Sequence, residues 1–357
     1  MTAGPEYLAS PAALASALGE LGQADLLLLA TQALRVGSLD YAAAICEVSP
    51  SEPEPALQLT RAAALFGLGR HDAAIALVDE VLARAPEHLA GLFYRAQMAQ
   101  HAGDARLASE LLLRVLERFP DFPGALGALS ALRMPGPPYR DVLRRVHELL
   151  KPRCYLEIGV ETGATLSLAS AAQRVIGIDP DRSKLRSELV PPNARVFHET
   201  SDAFFARHTK DQLLGDQRLD LAFIDGMHWF EYALRDFIHV EAWSQPNGCV
   251  VLHDCLPVLP VTASRERLTK FWVGDVWKVV CILRELRPEL SVKLITTAPS
   301  GLCVVRGLDP ESKVLAQALD EVVERYRDMP YPAAALETPE GFELLPASEQ
   351  GLREALR

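Results

Sequence analysis

The sequence predicts a multidomain chain, in which an all-α array of repeated helices is followed by an α/β doubly wound sheet of seven strands. Three observations support this prediction. Small and apolar residues recur at a period near 34 in the first part of the chain, which indicates stacked helix pairs. After a proline-rich break, short apolar runs alternate with amphipathic stretches, as in parallel sheets. A glycine turn follows the first run and an acid ends the second, which is typical of a nucleotide-like ligand site.

The composition limits the classes of protein that the chain can represent. Its 357 residues suggest about two domains, and its net charge of −11 argues against a nucleic-acid partner. No apolar run approaches the roughly 18 residues of a membrane span. Its six cysteines form no C-x-x-C pair, which suits a reducing compartment. We therefore expect a cytoplasmic protein that binds neither membranes nor nucleic acid.

The helical part of the chain has a regular period. Gly69 and Gly103 are 34 residues apart, and so are Pro86 and Pro120. A glycine between two helices and a proline after the second resemble a tetratricopeptide repeat. Two clear repeats and one or two degenerate ones are predicted. Such an array holds a protein or carrier partner, or packs against the neighbouring domain or a second subunit in a homo-oligomer.

A proline and glycine break at residues 134–139 separates the array from the sheet, because it bars continuation of a helix. A helix over Ala164–Ala172, a closing antiparallel hairpin and an irregular tail after Asp328 are also expected. The predicted domains are 1–135 for the repeats, 136–310 for the sheet and 311–357 for a helix and tail. The predicted strands are Tyr155–Ile158, Arg174–Ile178, Ala194–Phe197, Leu219–Ile224, Cys249–Leu252, Ser291–Thr296 and Gly301–Arg306.

The first strand and its turn carry the spacing Glu157-x-Gly159-x-x-x-Gly163, and Asp179 ends the second strand. Glycine suits a tight turn at positive φ and a close approach of ligand to backbone. The acid is well placed to accept hydrogen bonds from two ribose hydroxyls. The dinucleotide fingerprint G-x-G-x-x-G is absent, so no pyrophosphate cradle is expected.

Polar side chains also follow two neighbouring central strands. Asp225 and His228 come after the fourth strand, and His253 and Asp254 end the fifth. The carboxyl ends of parallel strands meet at one edge, where open α/β sheets bind ligands. These four groups are therefore expected in one crevice beside the glycine turn. The alternative is that His253 and Asp254 only form hydrogen bonds to neighbouring loops.

Three segments carry a family resemblance. LEIGVETGATL, FIDGMHWFEYALRDF and GCVVLHDC resemble class I, Rossmann-like S-adenosylmethionine-dependent methyltransferases. Among these, they look like the macrolide-sugar O-methyltransferases and the cephalosporin-biosynthesis methyltransferase-like proteins. The likeness covers roughly residues 140–306. It implies O-methylation of a hydroxyl on a small molecule, a sugar or glycosylated secondary metabolite of natural product biosynthesis.

The resemblance also implies roles for individual residues. His228 would be the catalytic base, and Asp225 would act in catalysis, in cofactor binding and as a metal ligand. Asp225, His253 and Asp254 would hold Mg²⁺ or Mn²⁺, but the family has an acid where this chain has His253, and imidazole suits softer ions. Whether a metal binds is left open. The residues implied to bind S-adenosylmethionine are Glu157, Gly159, Gly163, Asp179, Ser201, Asp202 and Asp225.

Some alternatives stay open from the sequence alone. Asp202 either contacts adenine or caps a helix. Asp275 and Lys278 either line the acceptor pocket or cap and solvate a helix. The chain as a whole is either an enzyme for small molecules, a methyltransferase for a protein or carrier-tethered substrate, or a scaffold with an inactive sheet module.

Overall fold

The structure is a computed structural model that describes residues 18–19, 21–48, 53–332 and 344–357. The chain forms two compact units, Met1–Leu132 and Arg133–Arg357. Each unit is described by itself. The division lies close to the domain boundary expected after residue 135, and the segment 311–357, expected as a separate part, falls within the second unit.

The first unit is built from helix pairs. The turns inside three successive pairs hold Gly37, Gly69 and Gly103, all with left-handed φ between +76° and +81°. The amide of Gly69 donates to the Phe66 carbonyl at 3.0 Å, and the Gly103 amide makes the equivalent bond 34 residues later. The sequence period is therefore a repeat of helix and turn geometry. The helices are α1 (Gln23–Arg35), α2 (Leu39–Glu47), α3 (Pro55–Gly67), α4 (His71–Arg84), α5 (Leu89–His101), α6 (Ala105–Arg118) and α7 (Ala125–Arg133).

The second unit places helices around one sheet, and its first helix leads directly into the central strand. The helices are α8 (Tyr139–Leu150), α9 (Ser201–Arg207), α10 (Lys210–Leu214), α11 (Phe230–Trp243), α12 (Trp277–Leu286), α13 (Val314–Tyr326) and α14 (Glu349–Ala355). The strands are β1 (Cys154–Ile158), β2 (Arg174–Ile178), β3 (Ala194–Phe197), β4 (Leu219–Ile224), β5 (Ser244–His253), β6 (Ser291–Thr296), β7 (Leu302–Arg306) and β8 (Leu344–Pro346).

The strand order is β3-β2-β1-β4-β5-β7-β6-β8. The first five strands in chain order are parallel, and β7 is antiparallel to both β5 and β6, as the predicted hairpin requires. The expected count of seven strands is wrong for the described residues, which form eight. The extra strand, β8, pairs with β6 in parallel. It lies in the segment expected to be an irregular tail, of which residues 333–343 are outside the described ranges.

The helix expected over Ala164–Ala172 is also wrong. The structure has a single 3₁₀ turn there, Leu166–Ala169. Thr165 donates its hydroxyl to the buried Glu157 at 2.7 Å instead of continuing a helix. The Ala172 carbonyl accepts a hydrogen bond from the Asn193 side chain, so the chain turns directly into β2. The Thr165 hydroxyl and the Ala172 carbonyl are thus bonded to residues outside the expected helix, and such side-chain hydrogen bonds compete with helix formation.

The central strands are buried on both faces, as parallel strands covered by helices are. Every residue of β1 is buried. Tyr155, Phe223 and Val251 from three adjacent strands belong to one apolar cluster, which α8 and α14 also enter. This packing fixes the carboxyl edge of the sheet, where the strand-end residues are. Among the described helices, none has the length and apolar character to cross a membrane.

Candidate active site

A cavity of about 880 Å³ opens at the carboxyl edge of the sheet. Most of the predicted site residues line it, which places the two expected clusters in one crevice. Two members of the predicted cofactor set, Glu157 and Gly163, are not part of this lining. The predicted residues that do line it are Gly159, Asp179, Ser201, Asp202, Asp225, His228, His253 and Asp254.

Gly159 lets β1 and β4 approach at the floor of the cavity. Its φ is +88°, and a Cβ there would lie 1.9 Å from the carbonyl oxygen of Asp225. No side chain fits at that distance, so the turn after β1 requires glycine. Gly163 has a similar φ of +86°, but a Cβ there would meet its nearest atom, the Leu189 Cβ, at 3.4 Å.

Glu157 is fully buried beneath the glycine turn. Its two carboxylate oxygens accept hydrogen bonds from the hydroxyls of Tyr155 and Thr165, at 2.6 and 2.7 Å. Burial raises the pKa of Glu157 to about 8, although both hydrogen bonds favour the ionised form. The Glu157 side chain therefore links β1 to Thr165, just past the glycine turn.

We expect Glu157→Gln to change how stability depends on pH. Glu157 titrates near pH 4.5 in the unfolded chain but near pH 8 in the folded chain, so the folded state keeps the proton longer. The wild type should lose stability relative to the variant as pH rises from about 5 to about 8. Urea unfolding across this range measures the difference. The exposed Glu324 on α13 supplies a control for the loss of one carboxylate. Parallel stability curves for Glu157→Gln and the wild type would contradict the expectation.

Asp179 follows β2 and lines the same cavity as Gly159, which the ribose prediction requires. Its two oxygens accept the amides of Glu161 and Asp181, at 2.7 and 2.8 Å. Glu161 has a φ of +46°, a left-handed conformation that non-glycine residues adopt mainly in turns. The carboxylate thus ties the turn after β1 to the turn after β2.

Asp202 is not the cap of α9. Thr200 is the N-cap, since its hydroxyl accepts the Ala203 amide at 3.3 Å. Asp202 instead pairs with the Arg235 guanidinium through two bonds of 2.9 and 3.0 Å. Ser201 and Asp202 both line the cavity, as the predicted adenine contact requires.

Three of the strand-end groups form a compact cluster. Among the described residues, Asp225, His253 and Asp254 are the group whose ligand atoms all lie within 4.8 Å of one another. The Nδ1 of His253 is 3.1 Å from Asp225 and 3.4 Å from Asp254. Its Nε2 faces the Ser300 hydroxyl at 3.4 Å, and that hydroxyl donates to Asp254. Two carboxylates and one imidazole nitrogen therefore converge.

Convergence of these groups shifts their pKa values. Burial alone would lower the pKa of His253, but the carboxylates of Asp225 and Asp254 outweigh it and raise the pKa to about 9. Burial would raise the pKa of Asp225, but His253 and His228 hold it well below its usual range. Burial raises the pKa of Asp254, the third member. A positive charge between the carboxylates, from a protonated imidazole or from a bound cation, would stabilise their ionised forms.

His228 completes the cluster from the loop after β4. Its Nε2 lies 3.1 Å from Asp254 and 3.7 Å from Asp225. Burial would lower the pKa of His228, but the two carboxylates raise it overall. The side chain is 26% exposed, so it faces the cavity while its other nitrogen, Nδ1, lies 3.3 Å from the Trp272 carbonyl.

Two residues of the site, Ser300 and Tyr139, were not found by sequence reasoning. Ser300 lies in a turn that was interpreted only as a hairpin connection. Tyr139, the last residue of the predicted proline-rich break, begins α8, and its ring packs on His253 with centroids 4.2 Å apart. Trp272 contacts His228 both through its main-chain carbonyl and through its indole ring. Every residue has a main-chain carbonyl, so the sequence does not indicate which carbonyl contacts His228.

Comparison with known proteins supports the class of enzyme. Residues 156–255 match a family model described as a methyltransferase domain. This stretch runs from β1 to just past β5 and contains Gly159, Asp179 and all four strand-end residues. The chain thus contains a methyltransferase domain, and the prediction that it is a methyltransferase is confirmed. No match was found among curated proteins.

Solved structures with a similar fold include several methyltransferases. The O-methyltransferase TomG from Streptomyces achromogenes is 16% identical, with 56% of this chain and 96% of that chain covered and a TM-score of 0.40. An O-methyltransferase from Bacillus cereus is 13% identical, with coverage of 57% and 99% and a TM-score of 0.38. The mycinamycin-pathway methyltransferase MycE is 17% identical, with coverage of 60% and 62% and a TM-score of 0.33. At these values the likenesses carry no argument about substrate or cofactor.

Proposed function

We propose that the chain transfers a methyl group from S-adenosylmethionine to a hydroxyl oxygen of a small molecule. The observation that carries this proposal is the single cavity shared by the glycine turn, Asp179 and His228. The opening that Gly159 leaves would take the adenosyl part, and Asp179 would accept the ribose hydroxyls. Ser201 and Asp202 would contact the adenine. The family match over residues 156–255 supports this assignment.

The proposed reaction needs alignment and removal of a proton. The cofactor supplies the methyl group, whose carbon bonds to the acceptor oxygen as its bond to sulfur breaks. His228 would take the hydroxyl proton on Nε2, the nitrogen that lies 3.1 Å from Asp254. Trp272 covers one face of the imidazole, with ring centroids 5.3 Å apart. Asp225 and Asp254 stabilise the imidazolium that results.

The test of the proposal is a calorimetric titration of the whole chain with S-adenosylmethionine, followed by a methyl-transfer assay on glycosides. Binding with 1:1 stoichiometry and transfer to a hydroxyl are expected. No binding would overturn the enzyme proposal and favour a scaffold with an inactive sheet module.

A divalent cation fits the cluster of Asp225, His253 and Asp254, because the three donor atoms already converge. When bound, the ion would lower the pKa of a hydroxyl that it contacts. The donor set of two carboxylates and one imidazole is softer than the all-oxygen set that Mg²⁺ prefers. Ser300 bonds Asp254 and contacts His253, which suits a second layer that orients metal ligands.

We expect the wild type to bind Mn²⁺ at least about tenfold more tightly than Mg²⁺, because imidazole favours transition metals. His253→Asp should reverse the preference towards Mg²⁺, and Asp225→Asn should weaken binding of both ions. Calorimetry with each metal alone measures this without turnover. Equal affinities of the wild type and His253→Asp for both ions would remove His253 from the metal site.

A macromolecular substrate is the second candidate, and the repeated turns of the first unit favour it. The 34-residue geometry at Gly69 and Gly103 supports a tetratricopeptide-like array, a type that holds protein partners. The array would then present a protein or a carrier-tethered acceptor, or join two copies of the chain. Full activity on free glycosides after deletion of residues 1–132 would count against this role.

A further inference from the structure

Residues 264–275 form a segment that contacts His228 at three places. The amide of Asp275 donates to the His228 carbonyl at 3.1 Å. The Trp272 carbonyl lies 3.3 Å from Nδ1 of His228, and the indole stacks on the imidazole at an interplanar angle of 28°. The segment therefore touches the main chain, one ring nitrogen and one ring face of His228.

Gly274 brings this segment as close to His228 as the backbone allows. A Cβ at Gly274 would lie 1.8 Å from the carbonyl oxygen of His228, and the glycine has a φ of +62°. Val273 donates its amide to the Thr262 carbonyl at 3.0 Å, which fixes the segment from its other side. A small displacement of the segment would therefore move the imidazole of His228.

Four charged side chains form the clamp network: Arg265 and Asp275 of the segment, Glu231 of α11 and Lys278 of α12. Arg265 donates to both oxygens of Glu231, at 2.6 and 3.0 Å, and to Asp275 at 2.9 Å. Lys278 donates to the same Asp275 oxygen at 3.0 Å. Asp275 and Lys278 are only 1% and 2% exposed in their side chains, so this network contains a buried ion pair.

The clamp network joins the segment to the helix that follows His228. Glu231 is on α11, and the Phe230 amide at the start of α11 donates to Asp275 at 2.9 Å. Arg265 is near one end of the segment and Asp275 is at the other. Asp275 and Lys278 neither line the cavity nor lie in solvent, and of their expected roles only a helix-end contact is present, that of Asp275 with the start of α11.

We propose that the clamp network positions His228 for proton transfer by holding residues 264–275 against it. This inference rests on the proposed function, in which His228 is the base. The Trp272 carbonyl lies within hydrogen-bond reach of Nδ1, which leaves Nε2 on the side of Asp254, 3.1 Å away. None of the four clamp residues lines the cavity, and they act only through His228. They are positioning residues.

The chain contains a matched control for this proposal. Arg287 pairs with Glu241 through two bonds of 2.8 and 3.0 Å, and Glu241 is on the same helix as Glu231. Arg287 is 1% exposed, so its loss disturbs the fold at least as much as loss of Arg265. Yet its partner on α11, Glu241, lies at the far end of that helix from His228.

The experiment compares Arg265→Gln with Arg287→Gln. Both variants should melt below the wild type, but only Arg265→Gln should lower kcat, by about 10- to 100-fold, with S-adenosylmethionine affinity within about twofold. Equal kcat in both variants, or an equal fall in both, would overturn the proposal. If the glutamine variants do not fold, Arg265→Lys and Arg287→Lys keep the charge, remove the two-pronged contact and take their place.

Two further measurements identify the route of the effect. Arg265→Gln combined with His228→Ala should leave the residual rate of His228→Ala unchanged, and a further 10-fold fall would overturn the proposal. Hydrogen exchange of residues 264–275 should accelerate in Arg265→Gln and not in Arg287→Gln; unchanged exchange would also overturn it. Exchange needs no turnover. If the wild type transfers no methyl group, the proposed function is wrong, and the exchange result still tests whether the clamp network holds the segment.

Discussion

His228→Ala is expected to lower methyl transfer by about 10²- to 10⁴-fold while S-adenosylmethionine affinity stays within about twofold. The imidazole Nε2 of His228, 3.1 Å from Asp254, is the proposed base. A sugar hydroxyl is a poor nucleophile until its proton is removed. The proposed adenosyl site, at Gly159 and Asp179, does not depend on this side chain. Calorimetry and initial-rate kinetics on one preparation measure both quantities.

The control for this prediction is another histidine of the same unit. His239 is on α11 and stacks on Phe205 with ring centroids 4.6 Å apart, outside the cavity lining. His239→Ala removes a similar ring and should leave kcat within about threefold of the wild type. A His228→Ala variant with a wild-type rate would remove His228 from the base role.

Gly159→Ala is expected to lower the free energy of unfolding by about 3 kcal/mol or more and to abolish S-adenosylmethionine binding. The alanine would have to adopt a left-handed backbone, and its Cβ would overlap the Asp225 carbonyl at 1.9 Å. Relief requires β1 and β4 to separate at the floor of the cavity. Urea unfolding and calorimetry at one temperature measure the two effects.

Gly163→Ala separates backbone strain from the overlap. Gly163 has nearly the same φ as Gly159, but its added Cβ would make only ordinary contacts with Leu189 and Leu185. Its substitution should therefore lower the free energy of unfolding by about 1–2 kcal/mol. Equal losses for the two alanine variants would show that close approach at Gly159 is not what requires glycine there.

The sequence predicted the parts of the site that depend on local pattern. An apolar strand followed by glycine, and a second strand ending in Asp179, are short-range features. Parallel pairing then brings Asp225 and His253 to one edge, because adjacent parallel strands end together. The same logic fails where a residue's partner is set by tertiary packing. Ser300 and Trp272 reach the site through loop folding that no periodicity encodes.

Buried charges were the least predictable feature of the second unit. Asp275 and Lys278 are three residues apart, as helix-end or solvent-exposed pairs often are. Their burial depends on Arg265 and on the course of a segment without regular structure. The eighth strand was missed for a related reason. Three residues, Leu344–Pro346, are too few for alternation to show, and only pairing with β6 makes them a strand.

The short strand β8, Leu344–Pro346, has a consequence for solubility. Open strand edges invite pairing with other chains, and long, flat edges are the most prone to aggregate. Here the outermost strands of the described sheet are brief: β3 spans four residues, and β8 spans three and ends in Pro346, which has no amide to donate. By covering β6, the C-terminal residues leave little template on which a second molecule could add a strand.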